Sequence, residues 1–206
     1  MYNSPPSKQI TNEQIASLFA ASIFLIFSTR NLILLINQFK ISLLITLVFN
    51  LVIVIIYLIR RPPIRASFSI FDILISIMGT FSTFFLIGSP DKQEMIIFQI
   101  LQILGLLISV SGLIFINKSF GIIPADRGIV TDGIYRFVRH PIYAGYFISS
   151  FGFLVQNYTM WNTGVFISII VIETTRVLRE EVLLKKNPIY IQYTQKTHWR
   201  FLPYIW

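Results

Sequence analysis

Two polar segments interrupt an apolar chain, and their residue types can do chemistry. Residues 128–145 read GIVTDGIYRFVRHPIYAG and residues 173–181 read ETTRVLREE. In the second, Glu173, Arg176 and Glu180 are spaced by three and four residues and share one helical face, while Arg179 and Glu181 point elsewhere. A carboxylate accepts hydrogen bonds from amino or hydroxyl groups or acts as a base, and an arginine fork holds a carboxylate. Glu173 lies nearly a turn deeper in apolar sequence, where an ionised carboxylate needs a partner such as Arg176. In the first segment, Arg139 and His140 suit an anionic group, and the rings of Tyr135 and Tyr143 suit a cation. Simpler readings stand beside these. A charged face can be only the solvated end of a membrane helix, and Arg139–His140 only an interfacial cluster ahead of a helix starting at Pro141. Tyr135, Tyr143, Tyr146, Tyr158, Trp161, Trp199, Tyr204 and Trp206 can be only an interfacial belt.

The elements that must position these residues are membrane helices. Of 206 residues, 54% are hydrophobic and 13% charged, against about 25% charged in soluble domains; mean hydropathy is +0.70. An ordinary water-soluble protein is excluded. There is no cysteine and there are two histidines, which leaves no thiolate chemistry and no basis for a metal site. A bilayer core of about 30 Å needs roughly 20 apolar residues. Runs of that size cover 15–36, 41–59, 69–88, 94–117 and 160–178, and a shorter one, 142–156, forms a hairpin with the last, turning at 157–161. The expected fold is all-α: a polytopic membrane bundle with five clear spans and a short sixth helix. It forms a single domain over 1–206, with four N-terminal transmembrane helices in 1–117 and a catalytic region in 118–206. The N-terminal apolar run is too long for a signal peptide and lacks a small-residue cleavage pattern, so it reads as a retained first helix. Asp72 falls in the first turn of its helix, where a carboxylate is favoured.

The net charge of +8 would raise a nucleic-acid partner in a soluble protein; here it reads as topology, with no nucleic acid expected. With the N-terminus inside, fourteen of the seventeen basic residues fall on the cytoplasmic side, Lys40 and Lys92 fall outside, and Arg30 in the first helix can snorkel outward. Both termini are then cytoplasmic, and the two polar segments flank the hairpin on that side. A site there opens to cytosolic cofactor on one side and membrane-embedded substrate on the other.

Residues 129–145, IVTDGIYRFVRHPIYAG, resemble the (L/I)VTxGxYxxxRHPxYxG signature of the isoprenylcysteine carboxyl methyltransferase and phospholipid methyltransferase superfamily. Residues 176–184, RVLREEVLL, resemble its RxxxEExxL element, and 190–203, YIQYTQKTHWRFLP, its YxxYxxxxxRxxP ending. The resemblance covers about the last ninety residues. It implies an integral multi-pass enzyme of the cell membrane in a prokaryote or the endoplasmic reticulum in a eukaryote. The implied activity is methyl transfer from S-adenosylmethionine, releasing S-adenosylhomocysteine, to a lipid or prenylated acceptor from the bilayer. Carried over residue by residue, cofactor contacts fall on Arg127, Gly128, Ile129, Val130, Tyr135, His140, Pro141, Ile142, Tyr143 and Glu180, with Arg139 beside them. Arg176 falls to the acceptor. The family often has His or another polar residue at the position of Arg127, and Asn187–Pro188 replace its usual FG.

The reaction most resembled is carboxyl O-methylation of a prenylated cysteine. The alternative within the superfamily is phospholipid amine N-methylation, which needs a base such as Glu173. A third reading is an NADPH-dependent membrane reductase of the sterol type, which carries a motif related to RHPxY; the EE pair and VTxGxY argue against it.

Overall fold

The computed structural model describes residues 7–88 and 95–204, with side chains from residue 14 onward. Lys92, Trp206 and most of the joint at 88–93 lie outside the described residues, as does the side chain of Lys8. The described residues form seven α-helices and one two-stranded ladder: α1 (Ser7–Asn37), α2 (Ile41–Ile59), β1 (Arg65–Ala66), α3 (Ile70–Ser82), α4 (Ile96–Ile116), β2 (Ala125–Asp126), α5 (Pro141–Gln156), α6 (Met160–Leu184) and α7 (Pro188–Lys196). Among the described residues, three segments are long and apolar enough to cross a membrane: Gln14–Asn37, Ile41–Ile59 and Ile96–Ser119. Large side chains such as Phe19, Ile36 and Ile97 are exposed on them; such surface suits lipid rather than water.

The third helix is shorter than expected. Ser69 caps it by accepting from the Asp72 amide, and it ends at Ser82 in a 3-10 turn over residues 83–85. The reason lies across the bundle. The fully buried Asn162 carboxamide accepts from the Ile87 amide at 3.0 Å and donates to the Ile87 carbonyl at 2.9 Å. An amide side chain thus satisfies backbone groups that a continuing helix would have used. The fifth expected span is the opposite case, because α6 runs on to Leu184, carrying the charged 173–181 segment inside one helix. The hairpin matches its expected bounds closely, with α5 turning at Asn157.

Helices α4 and α5 pack almost backbone to backbone. A Cβ on Gly145 would lie 2.1 Å from Ser109 Oγ and 2.4 Å from the Gly105 carbonyl. Ser109 Oγ donates to the Ile142 carbonyl at 3.0 Å, and small residues and hydroxyls of this kind hold helices together where lipid removes the hydrophobic drive. The main apolar cluster, including Phe24, Phe49, Ile53, Leu113 and Ile142, joins α1, α2, α4 and α5.

At one end, the chain segments between helices lock together. β1 pairs antiparallel with β2, Arg65 opposite Asp126, and the Arg61 amide donates to the Lys118 carbonyl. Asp126 Oδ1 accepts from the Gly128 amide at 3.0 Å, and Oδ2 accepts from Asn187 Nδ2 at 2.9 Å. Asn187 also caps α7, with Pro188 at its first position. Asn187 and Pro188 therefore build a helix start tied to β2.

Candidate functional site

A cavity of about 450 Å³ reaches this end, within the range of roughly 300–1,000 Å³ typical of ligand sites. Of the residues the sequence singled out, Gly128, Ile129, Val130, Tyr135, Arg139, His140, Ile142, Tyr143, Arg176 and Glu180 line it. Three do not. The Arg127 guanidinium is buried and donates to the Arg61 carbonyl, so it braces the loop after α2. Pro141 packs over Gly112 as the first residue of α5. Glu173 is 1% exposed and reaches the cavity only through its partner.

That partner is Arg176, whose Nη1 donates to Glu173 Oε2 at 2.7 Å while Nη2 donates to the Ile122 carbonyl at 3.1 Å. Its guanidinium lies 5.4 Å from the centre of the Tyr143 ring. Tyr143 in turn donates through its hydroxyl to Glu180 Oε2 at 3.1 Å. One face of α6 and one of α5 thus present an arginine, an aromatic ring and a carboxylate in line. Gly79 of α3 makes room, because a Cβ there would come within 2.6 Å of Arg176 Cδ.

The neighbouring Glu181 does something else. It is 2% exposed. Oε1 accepts from Arg139 Nε at 2.9 Å and lies 3.3 Å from His140 Nε2, and Oε2 accepts from Arg200 Nε at 3.1 Å. Burial alone would raise its carboxyl, but the bond and charge of His140, then of Arg139, outweigh that and hold it well below the usual carboxylate range. Arg139 spends Nη1 on the carbonyls of Thr197 and His198, and the amides of Arg139 and His140 donate to the carbonyls of Trp199 and Arg200. Arg139 thus lines the cavity while its guanidinium ties Glu181 and the C-terminal tail to the start of α5. Arg179 likewise turns away, forming a two-point pair with Asp72 at 2.7 and 3.1 Å that fastens α3 to α6.

Sequence reasoning did not single out Tyr190 and Tyr193 as site residues, though both lie in the YxxY element and both line the cavity. Tyr193 donates to the Tyr135 carbonyl at 2.6 Å, and Tyr135 to the Gly112 carbonyl at 3.3 Å. Burial pushes both phenols above their ordinary value, so they stay neutral donors. Tyr190, 3% exposed, leaves its hydroxyl without a partner among the described residues, and such a group is costly unless something else satisfies it. Tyr135, Tyr190, Tyr193 and Leu184 pack into one cluster beside the cavity.

Fold and site together define an all-α membrane protein with a part-polar internal chamber held between its C-terminal segments. Residues 94–186, from just ahead of α4 through α6, match the model of the Isoprenylcysteine carboxyl methyltransferase (ICMT) family. This part of the chain, which carries most of the cavity-lining residues of α4, α5 and α6, is similar to that family. No curated protein matches the chain.

Proposed function

We propose that the protein transfers a methyl group from S-adenosylmethionine to the carboxylate of a membrane-borne acceptor, most like that of a prenylated cysteine. The observation that carries this is the Arg176–Tyr143–Glu180 line on one cavity wall. S-adenosylmethionine held there would supply the electrophilic methyl for transfer to the acceptor oxygen, S-adenosylhomocysteine being the leaving group. Tyr135, Tyr190 and Tyr193 shelter the base, Glu180 accepts from the amino or hydroxyl groups, and the Tyr143 ring faces positive charge. Arg176 holds the acceptor carboxylate, its fork fixed by Glu173 and the Ile122 carbonyl. A carboxylate needs no base, so catalysis consists mainly of alignment and exclusion of water.

The buried Glu173 beside Arg176 favours a second reading, N-methylation of a phospholipid amine with Glu173 taking the proton. Both readings place the polar end of the bundle, with the termini, in the cytoplasm. Purified protein incubated with labelled S-adenosylmethionine and either a prenylcysteine analogue or phosphatidylethanolamine tests them; label in neither product rejects both.

A further inference from the structure

The cavity comes to the outside of the bundle along one seam. Most of its lining is buried or half-buried, but Arg30 and Leu34 of α1 and Thr83 and Phe84 of the 3-10 turn after α3 line it and are exposed. Leu34 is 39% exposed and Phe84 47%. The two edges meet through rings. Phe27, one turn before Arg30 on α1, stacks on Phe84 at 4.4 Å between ring centres and meets Phe81 at 5.9 Å. Neighbouring seams are fastened by polar bonds: Arg179–Asp72 and Asn162–Ile87 join the α3 segment to α6, Tyr143–Glu180 joins α5 to α6, and Ser109–Ile142 joins α4 to α5. Rings part without leaving a buried polar group unpaired, so this seam opens at lower cost than those.

A track leads inward from the seam. Gly79, Thr80, Thr83 and Phe84 all line the cavity, and residues four apart share a helix face. At the inner end Gly79 abuts the Arg176 side chain, where a Cβ would come within 2.6 Å of Cδ. From Gly79 to Phe84 is about 8 Å at roughly 1.5–2 Å per residue. Small side chains leave this face open beside the arginine, and a bulky ring stands at its mouth. Tyr143 meets Tyr146 at 6.4 Å, and Tyr146 meets Phe49 at 5.7 Å, so rings also line the cavity beyond Arg176. Outside the mouth, α1 carries the exposed side chains of Ile26 and Ile33, a surface that suits lipid.

We propose that this seam is a side portal for the hydrocarbon chain of the methyl acceptor, with Phe84 as its gate. The acceptor carboxylate sits at Arg176, its prenyl chain follows the Gly79–Thr83 face, and the chain passes into the bilayer between α1 and the end of α3. This rests on the methyl-transfer reading and extends it. On that reading the cofactor fills the polar end of the cavity, so a chain reaching more than about 8 Å from Arg176 leaves by the opposite side, where the exposed lining lies. Phe84 is then a specificity-determining residue, because its ring sets the girth of the chain that passes.

The test uses the full chain in phosphatidylcholine nanodiscs with an S-farnesylcysteine analogue that carries a diazirine at the far end of its chain. After irradiation, peptide mass spectrometry reads where the label lands. It is expected on the stretch from Phe27 to Leu34 and on that from Thr80 to Leu86; label elsewhere, or none, overturns the proposal. The chain has no cysteine, so Leu34→Cys can be modified with N-benzylmaleimide to fill the mouth. That should raise the KM for S-farnesylcysteine about tenfold, the worth of roughly two methylenes kept from burial, and leave a short-chain analogue unaffected. Equal KM before and after modification overturns the portal. Phe84→Ala should turn an analogue ending in a biphenyl group, rejected by the wild type, into a substrate; no gain removes Phe84 as the gate. Calorimetry with S-adenosylhomocysteine checks that each variant keeps its fold and cofactor site. Methyl transfer with the label outside the seam sinks this inference alone, whereas label at the seam without methyl transfer sinks the methyl-transfer reading.

Discussion

Glu180 and Glu181 are neighbours in the chain and serve different partners: Glu180 accepts from the Tyr143 hydroxyl at the cavity, and Glu181 takes Arg139, His140 and Arg200. Successive residues on a helix point about 100° apart. Here that rotation separates a ligand-facing carboxylate from one that fastens the tail. Replacing Glu180 by Ala is expected to weaken S-adenosylhomocysteine binding about tenfold or more, with thermal unfolding nearly unchanged. Calorimetry and a melting curve check it; unchanged affinity removes Glu180 from the cofactor site.

Replacing Glu181 by Ala leaves two arginines and a histidine uncompensated in a buried place, which costs about 3–5 kcal/mol. The fold should melt well below the wild type in detergent. Acid should act in the same direction. The folded carboxyl is depressed, so its stabilisation is complete above the ordinary glutamate range and drains away as pH falls below it. Melting temperature measured from pH 7 down to 3 should fall in the wild type, and fall less in a Glu181→Gln variant already destabilised at pH 7.

Arg176 is expected to act on the acceptor. Arg176→Lys should raise the acceptor KM while cofactor affinity holds, because a lysine lacks the fork that reaches Glu173 and the acceptor together. A pure loss of cofactor affinity refutes that division. Gly79→Ala offers an independent check, since its Cβ would displace the Arg176 side chain. It should lower turnover without touching S-adenosylhomocysteine binding.

Tyr190→Phe removes a buried hydroxyl with no protein partner. The ligand-free fold should be as stable as the wild type or slightly more so, because no bond is lost. Cofactor affinity should drop by about three- to tenfold if the ligand satisfies that hydroxyl. Equal affinity would show that the base does not meet it.

Gly145→Ala drives a Cβ into Ser109 and the Gly105 backbone. Overpacking of this kind costs about 1–3 kcal/mol, and here it would prise α5, which carries Tyr143, from α4. Both the melting temperature and cofactor affinity should fall.

The periodicity and composition of this chain determine its long apolar helices α1, α2 and α4, the bounds of the α5–α6 hairpin and the helical spacing of Glu173, Arg176 and Glu180, because these follow from local rise and rotation along one helix. The motif spacings likewise point to the family. The tertiary structure decided what depends on residues distant in sequence. Asn162 ends α3 early by taking the backbone of Ile87, and Arg179 finds Asp72 107 residues away. Arg139 holds tail carbonyls while lining the cavity, and Arg30 of α1 comes to line that same cavity. No local pattern encodes these outcomes, since each depends on which partner a buried polar group meets when the helices pack. In an apolar bundle that pairing decides where every charge comes to rest.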